Sequence, residues 1–235
     1  MGWSLTPRRR HDPELMDAPG QPADEVADAY QVLRRVNRQL GNLRTLRAEI
    51  RQGLAENRPG SAVALLDVGA GAGDLTVAMR RELEASGQSA RAVALDLDPI
   101  ALRLAAQQGL EVVRANALRL PFPDRAFDLV TAVKFAHHFH GPPLSRLLAE
   151  MARVARRRVL VLDIRRHWAA YGGFVLWSRL FTRNRLVRHD GPLSVLRGFT
   201  HEELLRLAEP FEDFVWEVRS RLGFQLVLIG RRREG

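Results

Sequence analysis

Residues 65–75 read LLDVGAGAGDL, in which three alternating glycines follow a continuous apolar run. The run Ala62–Val68 has the composition of a parallel strand that is covered on both faces. Residues 75–83 then have helical spacing, so the glycines fall in the turn between a strand and a helix. Glycines in such a turn permit a tight bend and a close approach of a ligand to the backbone. The pattern therefore predicts a ligand-binding turn.

The spacing of the glycines indicates which class of ligand such a turn binds. A dinucleotide-binding turn has the pattern Gly-x-Gly-x-x-Gly, which brings a pyrophosphate to the N-terminus of the helix. Here Gly69, Gly71 and Gly73 follow the pattern Gly-x-Gly-x-Gly, and Asp67 lies two residues before the first of them. An acidic residue at that position suits a cationic ligand better than a pyrophosphate. We therefore expect a positively charged ligand and no dinucleotide.

A second acidic residue, Asp96, ends the next apolar run, and it lies 27 residues after Gly69. That spacer fits one helix and one strand. A carboxylate at the end of this strand can accept hydrogen bonds from both hydroxyl groups of a ribose. We therefore expect Asp96 to bind a ribose.

Strands and helices alternate through the rest of the chain. The predicted strands are residues 62–68, 90–95, 111–115, 127–133, 159–163, 214–218 and 224–229. The predicted helices include 99–108, 144–155 and one that begins at Thr200 with a capping pattern. This alternation predicts a parallel sheet with right-handed crossovers, closed by an antiparallel pair of strands.

These motifs resemble those of class I S-adenosylmethionine-dependent methyltransferases, especially the branch that serves ubiquinone and menaquinone biosynthesis. The resemblance runs from about residue 62 to residue 163. It implies an α/β, Rossmann-like fold with a seven-stranded, mostly parallel sheet, and S-adenosyl-L-methionine as the cofactor. The residues that it implies for cofactor binding are Asp67, Gly69, Ala70, Gly71, Gly73, Asp96, Leu97, Asn116, Ala117 and Lys134. Relatives usually carry aspartate where this chain has Asn116.

The segments outside the core are expected to cover the site. Residues 1–23 hold four prolines and are expected to form an irregular arm, and residues 24–235 form the methyltransferase domain. Within that domain we expect a helical lid at 24–56 that is broken near Gly41, a cofactor-binding core at 62–163, and an insertion at 168–198. Aromatic residues recur along the insertion at helical spacing. They fit either a cover over an acceptor pocket or ordinary core packing.

Histidines after the fourth strand are the first candidates for catalysis. His137 and His138 could supply the general base that an oxygen or carbon nucleophile requires, or they could orient the following helix. A third histidine, His140, raises the alternative of a metal site. We expect no metal, because no carboxylate accompanies these residues locally. His189, which lies beside Asp190 in an expected loop, is a further candidate for the base.

Three residues are candidates for acceptor binding: Arg165, Trp177 and His189. Either Arg165 or Arg166 could bind a carboxylate or phenolate-like oxygen, or could be an ordinary surface arginine. Residues 188–200 resemble a segment found in relatives from bacterial secondary metabolism. We therefore expect O- or C-methylation of a small aromatic, quinone or polyketide-like molecule. The alternatives are an RNA or protein methyltransferase and a cofactor-binding protein without catalysis.

The composition of the chain limits the kinds of partner and the cellular location that we expect. The net charge is +9, but the arginines are dispersed and Lys134 is the only lysine, so we expect no nucleic-acid partner. The chain has no cysteine, which excludes disulfides and thiolate chemistry. It has no apolar run of membrane-spanning length, and its first residues lack a signal-peptide core. These features predict a cytoplasmic protein, and they leave a homodimer open.

Overall fold

The computed structural model describes residues 5–54 and 60–233. The strands are β1 (Ala62–Val68), β2 (Ser89–Asp96), β3 (Glu111–Arg114), β4 (Phe127–Val133), β5 (Ala155–Ile164), β6 (Phe214–Arg221) and β7 (Gln225–Arg232). The α-helices are α1 (Ala23–Gln39), α2 (Asn42–Leu54), α3 (Asp74–Ala85), α4 (Pro99–Ala106), α5 (Gly141–Val154), α6 (Trp168–Phe181), α7 (Arg185–Arg197) and α8 (His201–Ala208). Short 3-10 turns occupy Leu15–Asp17 and Ala136–His138.

The strands form one sheet in the order β3-β2-β1-β4-β5-β7-β6. Of its seven strands, only β7 runs against the others, because it pairs antiparallel with both β5 and β6. The predicted seven-stranded, mostly parallel sheet is therefore confirmed. The strand order reverses between β1 and β4, and open α/β sheets bind ligands outside the carboxyl ends of the strands at such a point.

The continuous apolar run of β1 is buried on both faces of the sheet. Leu65 and Leu66 are adjacent and point to opposite faces, and both have no exposed surface. Leu65 packs in a core that includes side chains of α2 and α3. Leu66 packs in the other core, which includes side chains of α5 and α8. A strand between two helical layers requires this composition, so the sequence pattern has a direct structural cause.

Local capping residues fix several helix ends as expected. Pro99 occupies the first turn of α4, and the Asp98 side chain accepts a hydrogen bond from the Ile100 N–H. Thr200 and Glu203 form the capping box that begins α8. Gly41 separates α1 from α2, as expected. The last two residues of the expected 24–56 segment, 55 and 56, lie outside the described residues.

The insertion differs from the expectation in one respect. It consists of two helices, α6 and α7, and α7 contains His189 and Asp190, which were expected in a loop. The following Gly191 and Pro192 are helix breakers, but both lie inside α7. The absence of a side chain on Gly191 lets the Phe174 ring of α6 pack against the backbone. Tertiary packing thus overrides the local propensity.

The N-terminal arm is irregular apart from its 3-10 turn, and it lies across α7. The backbone N–H groups of Leu15 and Met16 donate to the two carboxylate oxygens of Asp190, at 2.8 and 2.9 Å. Arg166 donates to the Pro7 carbonyl oxygen at 2.8 Å. These contacts hold the arm over the carboxyl ends of the strands. Among the described residues, no helix is both long enough and apolar enough to cross a membrane.

Candidate functional site

A cavity of about 1330 Å³ opens at the carboxyl ends of the central strands. The glycine loop and the segments after β2 and β4 line one side of it. The arm, α1, α6 and α7 line the other side. Sites for one small ligand commonly have volumes of ~300–1,000 Å³, so this cavity has room for two small molecules.

The glycine loop is shaped both by its backbone angles and by its neighbours. Gly69 and Gly71 have φ angles of +69° and +54°, which favour glycine. A Cβ on Gly69 would overlap the Phe135 ring, and a Cβ on Gly71 would lie 3.2 Å from the Tyr30 ring. Both loop glycines line the cavity. The loop therefore admits aromatic rings from α1 and from the segment after β4, and it leaves its backbone open to a ligand.

Asp96 connects this loop to the end of β2. Its Oδ2 accepts a hydrogen bond from the Gly71 N–H at 2.8 Å, and its Oδ1 accepts from Leu97 and Asp98. Burial raises the pKa of this carboxyl group above its usual value. The Asp96 side chain lines the cavity. Oδ2 accepts one bond from the protein, so it retains acceptor capacity for a ligand hydroxyl.

Asp67 lies in a different position from the one expected for a direct ligand contact. Its side chain is 1% exposed and does not line the cavity. It accepts hydrogen bonds from the hydroxyl groups of Thr76 and Thr131, at 2.5 and 2.8 Å. Burial among these neutral partners raises its pKa to about 6. In this geometry Asp67 ties β1 to α3 and β4 and thereby supports the loop from beneath.

Most of the other residues expected to bind the cofactor line the cavity, and one lies outside it. Those that line the cavity are Ala70, Leu97, Asn116, Ala117 and Lys134. Gly73 lies outside the lining, and a Cβ there would lie 2.5 Å from the Leu110 side chain. Gly73 thus serves the packing of α3 against its neighbours. Lys134 has a φ angle of +55°, and burial lowers the pKa of its amine to about 8.

His137 is enclosed between two carboxylates. Its Nδ1 lies 2.8 Å from Asp163 Oδ1, and its Nε2 lies 3.5 Å from Glu14 Oε1. Burial opposes the charged imidazole, but the two carboxylates outweigh burial and raise the pKa of His137 to about 9. A histidine with this pKa is protonated at neutral pH. It is therefore poorly suited to take a proton from a molecule that is to receive a methyl group.

His138 lies at the cavity wall with 22% of its side chain exposed. Its Nδ1 lies 2.8 Å from Asp17 Oδ2, which fixes the orientation of the ring. The ring also lies beside Phe135, with centroids 5.9 Å apart. The Phe135 ring also packs on Gly69, so this ring connects His138 to the glycine loop.

Glu14 was missed by the sequence interpretation. Its carboxylate is 6% exposed and accepts a hydrogen bond from the Ser194 hydroxyl at 2.8 Å. Burial opposes its ionisation, but His137 and His138 lower its pKa to about 2. The only signal in the sequence was an acidic residue in the proline-containing arm. Nothing local connected that residue to the histidines, which lie more than a hundred residues further along the chain.

The three expected acceptor-binding residues are not brought together. Trp177 lines the cavity, and its Nε1 donates to Gln39 at 3.0 Å. His189 is half exposed, lies beside Asp190 and is outside the cavity lining. Arg165 is exposed and also lies outside the lining. Its neighbour Arg166 is buried and bound to Glu203 and to backbone carbonyls.

The central part of the chain is similar in sequence to known methyltransferases. Residues 65–158 match a family described as "Methyltransferase domain". Over 116 residues, the chain is 32% identical to phthiotriol/phenolphthiotriol dimycocerosates methyltransferase 1 of Mycobacterium ulcerans, a match that covers 47% of this chain and 37% of that protein. It is 37% identical to demethylmenaquinone methyltransferase of Bacillus licheniformis, with coverage of 43% of each chain. The chain thus spans less than half the length of these curated relatives.

Solved structures extend the likeness of fold beyond that stretch. The plantazolicin methyltransferase BpumL in complex with SAH superposes with a TM-score of 0.66 at 13% identity, over 91% of this chain and 92% of that one. Magnesium protoporphyrin IX methyltransferase from Synechocystis PCC 6803 with bound SAH has a TM-score of 0.56 at 15% identity, over 82% and 84%. The fold is therefore that of the class I S-adenosylmethionine-dependent methyltransferases. The family match itself covers residues 65–158, which is less than half of this chain.

Proposed function

We propose that the protein transfers a methyl group from S-adenosyl-L-methionine to a small-molecule acceptor. The observation that carries the proposal is that two unlike sets of residues line one cavity, which we call its polar end and its apolar end. Asp96 and the glycine loop form a polar end suited to a nucleoside. Met16, Phe174 and Trp177 contribute to an apolar end. A two-ligand reaction between a nucleoside-type cofactor and an apolar acceptor requires such a pair of ends.

The polar end suits a cation better than a phosphate. Asp74 begins α3 and lines the cavity at the helix N-terminus, where a pyrophosphate would have to bind. Asp96 and Asp98 add two further carboxylates to the lining. S-adenosylmethionine carries a sulfonium and an ammonium group and no phosphate, so these carboxylates attract it. Bound here, this cofactor supplies an activated methyl group.

The apolar end supports an aromatic, quinone or polyketide-like acceptor. Its wall combines side chains of the arm, α1 and α6, and the apolar members include Met16, Val26, Leu33, Val36, Phe174 and Trp177. One of the relatives is named as a demethylmenaquinone methyltransferase, which supports a quinone-related acceptor. The resemblance of residues 188–200 to secondary-metabolism relatives supports a polyketide-like one.

Side chains between the polar end and the apolar end orient the acceptor and exclude water in the proposed reaction. The arm and α6 form the cover, which keeps solvent from the reacting groups and reduces the motion of the acceptor. Of the three histidines expected to act in catalysis, only His138 is both in the lining and partly exposed to the cavity. His138 is therefore the candidate to accept a proton from a hydroxyl group or an acidic carbon.

A labelled-methyl experiment tests this function. The full chain is incubated with S-adenosylmethionine that carries a trideuterated methyl group, together with phenols, quinones and a structured RNA. We expect mass spectrometry to find the label on a small molecule and none on the RNA, and we expect Asp96→Ala to lower the rate. Label on RNA alone would favour the nucleic-acid alternative. Cofactor binding without transfer to any partner would favour a binding protein.

A further inference from the structure

Three side chains from distant parts of the chain converge at the cavity wall: Glu14, His137 and His138. Each offers one ligand atom, and these atoms all lie within 4.8 Å of one another. Glu14 and His137 are almost fully buried, and all three residues line the cavity. The methyl transfer proposed above assigns no role to Glu14 or His137. Their convergence therefore requires a separate explanation.

Both imidazoles are oriented from behind by a carboxylate. The Nδ1 atom of His137 faces Asp163, and that of His138 faces Asp17, each at 2.8 Å. A carboxylate in this position takes the Nδ1–H and directs Nε2 towards the opposite side of the ring. Histidines that bind metal ions are held by the same arrangement, in which the outer carboxylate fixes the tautomer and the ring orientation.

The Nε2 atoms face the Glu14 carboxylate at distances that suit a bridging ion. His137 Nε2 lies 3.5 Å from Oε1, and His138 Nε2 lies 3.7 Å from Oε2. Both separations are longer than a typical hydrogen bond. They match the spacing of two ligand atoms that each lie about 2.1 Å from one ion. Bare lone pairs directed at a carboxylate repel it, so positive charge must lie between them, supplied either by protons on the imidazoles or by a metal ion that replaces those protons.

The surrounding charges permit a cation. Asp17 and Asp163 add two carboxylates behind the histidines. Arg197 lies 3.7 Å from Glu14, but its nitrogens donate to the carbonyl groups of His137, Asp12 and His138. Arg197 therefore holds the backbone of the ligand-bearing segments, and the Glu14 carboxylate still faces the two imidazoles.

We propose that Glu14, His137 and His138 form a binding site for a divalent transition-metal ion. Two imidazoles and one carboxylate suit ions such as Zn²⁺, Mn²⁺ or Fe²⁺, and three protein ligands leave a coordination position for a molecule in the cavity. The sequence led us to expect no metal because the carboxylate lies in the arm. A bound ion would occupy Nε2 of His138, which would then be a metal ligand and not a proton acceptor.

Metal titration of the untagged full chain tests the site without reference to methyl transfer. The protein is first treated with a chelator, and Zn²⁺ or Mn²⁺ is then added in a calorimeter. We expect one ion per chain, and an affinity at least tenfold lower in Glu14→Gln and in His138→Ala. His201→Ala removes an exposed histidine of α8 and should leave the affinity unchanged. Circular dichroism of each variant verifies the fold.

A second variant keeps the test decisive if a buried substitution prevents folding. Asp17 has a side chain that is 53% exposed, so Asp17→Asn should fold normally. Loss of this outer carboxylate should weaken the metal affinity about tenfold, as expected for a group that orients a metal ligand. No binding to the wild-type chain would overturn the proposal. Binding of equal strength in wild type, Glu14→Gln, His138→Ala and Asp17→Asn would also overturn it, because the ion would then bind elsewhere.

Discussion

The polar end of the cavity, where we propose that the cofactor binds (the cofactor end), and the apolar end, where we propose that the acceptor binds (the acceptor end), are assembled from the chain in different ways. At the cofactor end, the hydrogen bond from Gly71 to Asp96 joins residues 25 positions apart, within one strand–helix–strand unit. At the acceptor end, the contact of His138 with Asp17 spans 121 positions, and that of Leu15 with Asp190 spans 175. A site made within one unit leaves a compact motif in the sequence, whereas a site made between distant segments leaves scattered single residues.

The two ends also differ in how they keep a carboxylate buried. Asp67 beneath the glycine loop has only neutral hydroxyl partners, so burial raises its pKa to about 6. Asp163 is equally enclosed, but the adjacent His137 imidazolium offsets burial and lowers its pKa to about 2. Burial thus destabilises the ionised form of Asp67, while ion pairing stabilises that of Asp163.

The largest effect is expected from a side chain in the glycine loop. Gly69→Ala should destabilise the fold by about 3–4 kcal/mol, the sum of a left-handed backbone penalty and the displacement of the Phe135 ring. Cofactor affinity should fall at least a hundredfold, because the displaced ring belongs to the cavity wall. Chemical denaturation and calorimetry measure the two losses.

Gly87→Ala is the matched control for this substitution. Gly87 has a φ angle of +78° and no heavy atom within 4 Å of the position of its missing Cβ. Its replacement should cost only the backbone penalty, about 1–2 kcal/mol, and should leave cofactor affinity unchanged. Equal losses of stability in the two variants would show that the Phe135 contact contributes nothing.

Asp67 gives the next effect, through the pH dependence of stability. Its pKa is about 6 in the folded chain, above the ordinary aspartate value of 3.8 that applies to the unfolded chain, so the folded state binds the proton more tightly. The stability that this proton contributes is complete below pH 3.8, and it is lost as the pH rises through about 6. Asp67→Asn does not titrate. Relative to wild type it should gain about 2.5 kcal/mol between pH 4 and pH 7.

Unfolding of both cofactor-free proteins by urea at several pH values measures this gain. Taking the difference between variant and wild type removes the titration of all other groups. A difference that stays constant across that range would show that Asp67 has an ordinary pKa, and the contrast with Asp163 would then fail.

A smaller effect is expected at the acceptor end. Trp177→Ala removes a ring from the cavity wall and should raise the KM for the acceptor about tenfold, while cofactor affinity changes less than about threefold. Leu176→Ala is the control, because Leu176 is the preceding residue of α6 and is 61% exposed. Steady-state kinetics with an acceptor found in the labelling experiment provides the measurement. Equal losses of acceptor and cofactor binding would indicate general destabilisation.

The sequence predicted most of the fold and some of the residues that line the candidate cavity, and the reasons lie in particular residues. The apolar run around Leu65 and Leu66 predicted a doubly covered strand, and Asp96 followed at the spacing of one helix and one strand. The orientation of Asp67 follows from strand alternation: it lies on the same face as Leu65, towards α3. The spacing of the glycines alone did not reveal this.

The acceptor end could not be predicted in the same way. Contacts from α7 hold the arm and place Glu14 beside the histidines, among them those of Asp190 and Arg197. Helix α7 presents these residues because it continues through Gly191 and Pro192. Each of these steps depends on a tertiary contact that overrides a local signal. Propensity and spacing describe neighbours along the chain, so they contain no information about such contacts.

Binding of S-adenosylmethionine by Asp96 and the glycine loop underlies the proposed methyl transfer, and a calorimetric titration measures it. S-adenosylhomocysteine, the demethylated product, is titrated into the wild-type chain and into Asp96→Ala. We predict one molecule per chain for the wild type, and an affinity about 10- to 100-fold lower for the variant, which corresponds to the loss of about 1.5–3 kcal/mol of hydrogen bonding to a charged group. No binding to the wild type, or equal affinity in the two proteins, would contradict the assignment of this site.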